Sequence, residues 1–115
     1  MRVPGPPPVD VAAIRSFCEQ RVPPHALDQV RVEAIVGGNA VTIAERRPPW
    51  HGDTSADWTT QPVARLRYIQ KHQHWTLFWR DRDEQCHRYD GVAPTRDVTV
   101  LLDEVDRDPT AIFWG

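Results

Sequence analysis

The first periodic stretch of the chain runs at helical spacing. Val11, Ile14 and Cys18 recur at i, i+3 and i+7 with Phe17 beside them, giving a helix with one apolar stripe. Asp10 stands where an N-cap carboxylate could accept from backbone N–H groups that lack intrahelical partners. Pro23-Pro24 ends this helix by Val22, because a residue before proline avoids the α region. The period then changes to two. Val30, Val32, Ala34 and Val36 alternate with Arg31, Glu33 and Ile35, which predicts a half-buried strand. Gly37-Gly38-Asn39 tolerates positive φ and turns the chain into a second strand, Ala40 to Arg46. Pro48-Pro49 stops it, and residues 48 to 61 form a long polar loop holding Trp50 and Trp58. A third strand is predicted near Val63 to Ile69, and Lys71-His72-Gln73 turns it into a fourth near Trp75 to Asp81. Asp83-Glu84 leads into a short fifth strand through His87 and Tyr89. Past Gly91 to Pro94, Val98, Leu101, Leu102 and Val105 restore the helical period, and Pro109 closes it.

Connections of hairpin length imply an antiparallel meander, and two helices can bury only one of its faces. The predicted fold is therefore α+β: a four- to five-stranded antiparallel meander sheet with an N-terminal and a C-terminal helix on one face. Val11, Ile14, Leu101, Leu102 and Val105 are expected to be buried beneath those helices. Residues 1–8 read as a Pro-rich arm and 9–115 as a single α+β domain. A chain of this size buries about two-thirds of its surface on folding, enough for one core.

Strand parity then sorts the side chains. Trp75, Leu77 and Trp79 share one face of the fourth strand, and His74, Thr76, Phe78 and Arg80 share the other. The face away from the helices collects Arg31, Glu33, Thr42, Arg65, Arg67, Thr76 and Arg80, with Phe78 at its centre. Lys71 is the only lysine, and arginine is the residue preferred for bidentate contacts to phosphate and carboxylate.

Net charge is −2, so the chain as a whole is no polyanion binder. The charge is uneven, with six acids and two bases from Asp90 to Gly115, which leaves room for a local basic face. No run approaches the ~18 apolar residues of a membrane span, and the first residues have no hydrophobic region of the signal type. A cytoplasmic protein with no membrane partner is expected. Cys18 and Cys86 lie far apart without a C-x-x-C pair, so two free thiols are expected.

Several segments carry a resemblance. Arg21-Val22-Pro23-Pro24-His25, Gly38-Asn39-Ala40-Val41-Thr42, Glu45-Arg46-Arg47-Pro48-Pro49-Trp50 and Pro62-Val63-Ala64-Arg65-Leu66-Arg67-Tyr68 are four of them. Trp75-Thr76-Leu77-Phe78-Trp79-Arg80-Asp81-Arg82 and Pro109-Thr110-Ala111-Ile112-Phe113-Trp114-Gly115 complete the set. With these the chain resembles a bacterial domain-of-unknown-function family, number three thousand and twenty-four. The resemblance implies a small stand-alone protein and no assigned activity, cofactor or catalytic residue.

Catalytic motifs are scarce: there is no Gly-rich phosphate loop, G-x-S-x-G or H-E-x-x-H. His72-x-His74 and Cys86-His87 lack structural-zinc spacing, so neither a metal site nor another cofactor is expected. Arg80, Arg82, His87, Arg88 and Tyr89 cluster in sequence and loosely resemble the RelE-type ribonuclease toxins. In such a site arginine would stabilise a charged transition state, and histidine or tyrosine would move protons. The second helix expected before the sheet is missing, however. Glu33, Glu45, Asp81 and Asp83 also sit among the arginines, which favours cross-strand ion pairs.

The leading reading is a non-catalytic binding or adaptor module, more readily non-enzymatic than enzymatic. Its ligand or partner would use Arg65, Arg67, Phe78 and Arg80 on the sheet, with Trp50 and Trp58 on the loop. A protein or small ligand is favoured over nucleic acid, because the acids and the net charge oppose the latter. An RNA-binding protein or small ribonuclease is the alternative. A third reading is a self-associating structural module, such as a homodimer. The tail Ile112-Phe113-Trp114 is too apolar to dangle and should dock, burying much of Trp114.

Overall fold

The computed structural model describes residues 5–49 and 57–114. Helix α1 (Pro8–Arg21) is followed by a short 3-10 turn, Pro24–Ala26, which the sequence pattern did not predict. Strands β1 (Arg31–Gly37), β2 (Ala40–Arg47), β3 (Thr59–Ile69), β4 (His74–Arg80) and β5 (Cys86–Arg88) come next, and helix α2 (Val98–Arg107) closes the order. The five strands lie in sequence order in one sheet, and every neighbouring pair is antiparallel. Each hairpin follows from local chemistry. Gly38 supplies φ +58° between β1 and β2, and Gln73 takes φ 52° between β3 and β4. β3 starts at Thr59, earlier than the apolar run from Val63, because its first residues pair with Glu45, Arg46 and Arg47 on β2. The register slips between Ile43 and Ala44, a bulge that accommodates Pro62 and Val63.

Both helices cover the same side of the sheet. Val41, Leu66 and Leu77 oppose one another across β2, β3 and β4 and are buried with Ile14 and Cys18 of α1 and Leu101 and Val105 of α2. Asp97 caps α2 by accepting from the Thr99 N–H at 3.1 Å. α1 departs from expectation at its start. Pro7 occupies the N-cap and Pro8 the first turn, with no side-chain cap. Asp10 instead accepts a hydrogen bond from Trp75 Nε1 at 2.9 Å, tying α1 to a fully buried indole on β4. Val11, expected in the core, is half-buried beside it, whereas Ile14, Leu101, Leu102 and Val105 are buried.

The chain's end docks as its composition requires. Asp108 takes a left-handed conformation (φ 42°) after α2, in place of the glycine common there. Its carboxylate accepts from the backbone N–H groups of Ile112, Phe113 and Trp114 at 2.8, 3.0 and 2.9 Å. Phe113 enters the core beside Tyr89, with ring centroids 5.1 Å apart. Trp114 is half-buried, donates from Nε1 to the Val105 carbonyl at 2.8 Å and lies under the Arg21 guanidinium at 4.2 Å. After β5 the backbone passes directly over a side chain: a Cβ at Gly91 would meet the Tyr89 ring at 2.5 Å.

Candidate functional site

Among the described residues neither helix covers the other side of the sheet, and the register places its side chains in rows. One row runs Ile35, Thr42, Arg65, Phe78 and Arg88 across β1 to β5. The adjacent row carries Gly37, Ala40, Arg67 and Thr76. On the other flank Arg80 opposes Cys86. Phe78 is half-buried, with Arg65 on one neighbouring strand and Arg88 on the other. At ordinary strand spacing those two arginine backbones lie roughly 10 Å apart with the phenyl ring's backbone between them. Arg65, Arg67, Phe78 and Cys86 line a depression of about 190 Å³.

The electrostatics of this face differ from what the interleaved sequence suggests. Parity puts Arg31, Arg46, Arg65, Arg67, Arg80 and Arg88 on it, and among the described strand residues Glu33 is the sole acid there. Glu33 contacts Arg46, at 3.5 Å. Glu45 falls on the helix side and pairs with Arg47 at 2.7 Å, and Asp81 pairs with His87 at 2.6 Å. The expected cross-strand pairs to Arg65 and Arg67 are therefore not formed. Among the described residues, the side chains of Arg65, Arg67 and Arg88 have no ion-pair or hydrogen-bond partner. Arg80 bends toward its own hairpin and donates to the Glu84 carbonyl at 3.0 Å.

The ribonuclease-like set is not brought together. Arg80 and Arg88 belong to the open face, whereas His87 and Tyr89 point to the helix side. His87 stacks on Trp79 with centroids 4.7 Å apart and holds Asp81, whose carboxyl the histidine keeps below its ordinary value. Tyr89 is buried, and its hydroxyl donates to Glu104 at 3.3 Å. Burial and the Glu104 carboxylate both push its ionisation up. Arg82 stands apart in the exposed turn between β4 and β5. The groups that would stabilise charge and those that would move protons thus lie on opposite faces.

The loop tryptophans do not join the central arginines either. Trp50 lies outside the described residues. Trp58 is half-buried at the far end of the same face, under the Arg31 guanidinium at 4.7 Å. Seven residues of extended chain separate it from Arg65, roughly 20 Å. Two members of the central group are not assigned to it from the sequence: Cys86 reads only as a free thiol beside His87, and Arg88 only as part of the ribonuclease-like set. Cys86 and Arg88 alternate with His87 and Tyr89, and the pairing of Phe78 with Arg88 and of Arg80 with Cys86 is what assigns them to the arginine face. Among the described residues no group of three His, Cys, Asp or Glu could hold a metal ion, and no helix is long and apolar enough to cross a membrane.

Fold and face together define a small α+β domain with one helix-covered sheet surface and one open, arginine-bearing surface. The chain belongs to the DUF3024 family, a domain of unknown function whose model matches residues 6–115. No curated protein and no solved structure matches it.

Proposed function

We propose that this domain is a non-catalytic binding module and that its open sheet face holds an anionic partner. The observation that carries the reading is the environment of Arg65 and Arg67. Both are exposed, both flank the half-buried Phe78, and neither is neutralised by an acid among the described residues. An arginine held in a cross-strand ion pair would have to break that pair to bind a ligand. These two meet no such cost. A cytoplasmic, reducing setting fits this reading, because both thiols stay unpaired.

Cys86 offers a reporter inside the depression, and Cys18 offers an internal control. Cys86 is exposed, whereas Cys18 is buried and its thiol is pushed up to about 12 by that burial. Alkylation of native protein with iodoacetamide, read by mass spectrometry, should therefore modify Cys86 first. At low salt, at least one of three anionic polymers (polyphosphate, polyglutamate or decauridylate) should slow that modification. In the Arg65→Ala/Arg67→Ala protein the protection should be lost. Unchanged Cys86 modification with all three polymers, or equal protection of the double variant, would overturn the proposal.

A further inference from the structure

We infer that the anionic partner is a single-stranded nucleic acid, with an unpaired base stacked on Phe78 and the flanking phosphates held by Arg65, Arg67 and Arg88. The inference rests on the binding-module reading above and adds the class of ligand. Three observations carry it. The first is the position of the aromatic ring. Phe78 lies in the row between Arg65 and Arg88 and shares a depression with Arg65 and Arg67, so an apolar planar surface stands among arginine-bearing positions rather than apart from them. A nucleotide chain presents the same alternation, a planar base with a charged phosphate on either side, and base–aromatic stacking is tolerant of sequence. An acidic peptide would satisfy the arginines and leave the ring without a planar partner.

The second observation is shape. The depression of about 190 Å³ is smaller than the roughly 300–1,000 Å³ typical of small-molecule sites. The row to which Arg65 and Phe78 of its lining belong, however, crosses all five strands, from Ile35 to Arg88. Such a surface suits a chain laid across the sheet better than a compact ligand enclosed in a cavity. A duplex keeps its base faces stacked inside and could not offer one to Phe78. The third observation is charge. The arginines around the ring have no acid within their row or the row of Arg67, and Glu33, the one acid among the described strand residues of this face, contacts Arg46, so most of the acidic charge is carried elsewhere on the molecule. The helix side accounts for much of it, through Asp103, Glu104 and Asp106 of α2.

Fluorescence anisotropy with labelled decauridylate, decathymidylate and a ten-base-pair duplex tests the inference on the full chain. The single strands should bind more tightly than the duplex. The slope of log affinity against log salt should lie near −2, as expected for about three phosphate contacts to a single strand. Phe78→Leu should weaken single-strand binding about tenfold with the slope unchanged, because it removes stacking and no charge. Arg65→Ala/Arg67→Ala should instead flatten the slope by about 1.4, the equivalent of two phosphates. Far-UV circular dichroism of each variant verifies that the sheet is retained. If polyglutamate protects Cys86 while neither oligonucleotide binds, the nucleic-acid inference fails and the binding-module reading stands. Equal affinity for duplex and single strand, or unchanged affinity in Phe78→Leu, would also overturn it. If no polymer binds or protects, both fail together.

Discussion

Replacing Asp108 removes the carboxylate that ties the end of the chain to α2. One carboxylate accepts three backbone N–H groups, from Ile112, Phe113 and Trp114, all at 3.0 Å or less. A hydrogen bond to a charged group contributes about 1.5–3 kcal/mol. The site is half-buried, so water will recover part of that in a variant, and a net cost of about 2–4 kcal/mol follows for Asp108→Ala. Asp108 already holds the left-handed conformation at φ 42°, which alanine tolerates less well than aspartate, so part of the about 1–2 kcal/mol that this conformation costs is added in the alanine variant. Asp108→Gly separates the two effects. It removes the carboxylate but relieves the backbone, so it should lie above Asp108→Ala by about 1 kcal/mol and still well below wild type. For a domain of this size each kcal/mol shifts the melting temperature by roughly 3–5 °C. Urea and thermal unfolding followed by circular dichroism should then show Asp108→Ala melting about 10 °C or more below wild type. A glycine variant as stable as wild type would refute the reasoning. It would mean that the three N–H contacts contribute no more than the backbone relief of about 1 kcal/mol that glycine supplies, and that the tail is held mainly by Phe113 and Trp114.

Asp10→Ala should cost about 1–3 kcal/mol, because it leaves the buried Trp75 Nε1–H without an acceptor. The loss should largely vanish in a Trp75→Phe background, whereas a helix-capping role would survive there. Ellman's reagent should titrate one thiol in the native protein and two in the denatured, unreduced protein; a single thiol or none after denaturation would contradict the free-cysteine assignment. Asp81 is depressed below its ordinary 3.8 by the His87 hydrogen bond, so its contribution to stability is present above that value and disappears as the pH falls through the lowered one. Asp81→Asn should accordingly show a shallower loss of urea stability between pH 4 and pH 2 than wild type, and an identical acid limb would argue against the pairing.

Much of the architecture was legible because strand and helix periods are local. Alternation from Val30 to Val36, the Gly38 turn and the i, i+3, i+4, i+7 pattern from Val98 to Val105 each place a side chain from its near neighbours. What stayed hidden depends on residues distant in sequence. Asp10 has the composition and position of a cap, yet its partner is Trp75, 65 residues away, while Pro8 starts the helix without help. The charge of the open face was misjudged for a similar reason. Glu45 and Asp81 are sequence neighbours of arginines, but pairing with Val32 and His87 puts them to the helix side or its rim. Net charge averages over both faces and cannot register that separation. The same parity that identified Arg65, Arg67, Phe78 and Arg80 would also have assigned Arg88 and excluded His87 and Tyr89, had β5 been registered against β4. Its three residues are too few to show a period on their own.

The central claim is that the uncovered arginine face, and no other surface, receives the ligand. Titration of isotope-labelled protein with decauridylate, followed by amide and arginine side-chain NMR shifts, locates the contact residue by residue. The account predicts perturbations concentrated at Arg65, Arg67, Thr76, Phe78, Cys86 and Arg88, with α1 and α2 unmoved. Shifts confined to the helices, or none at a concentration that saturates the anisotropy signal, would contradict it.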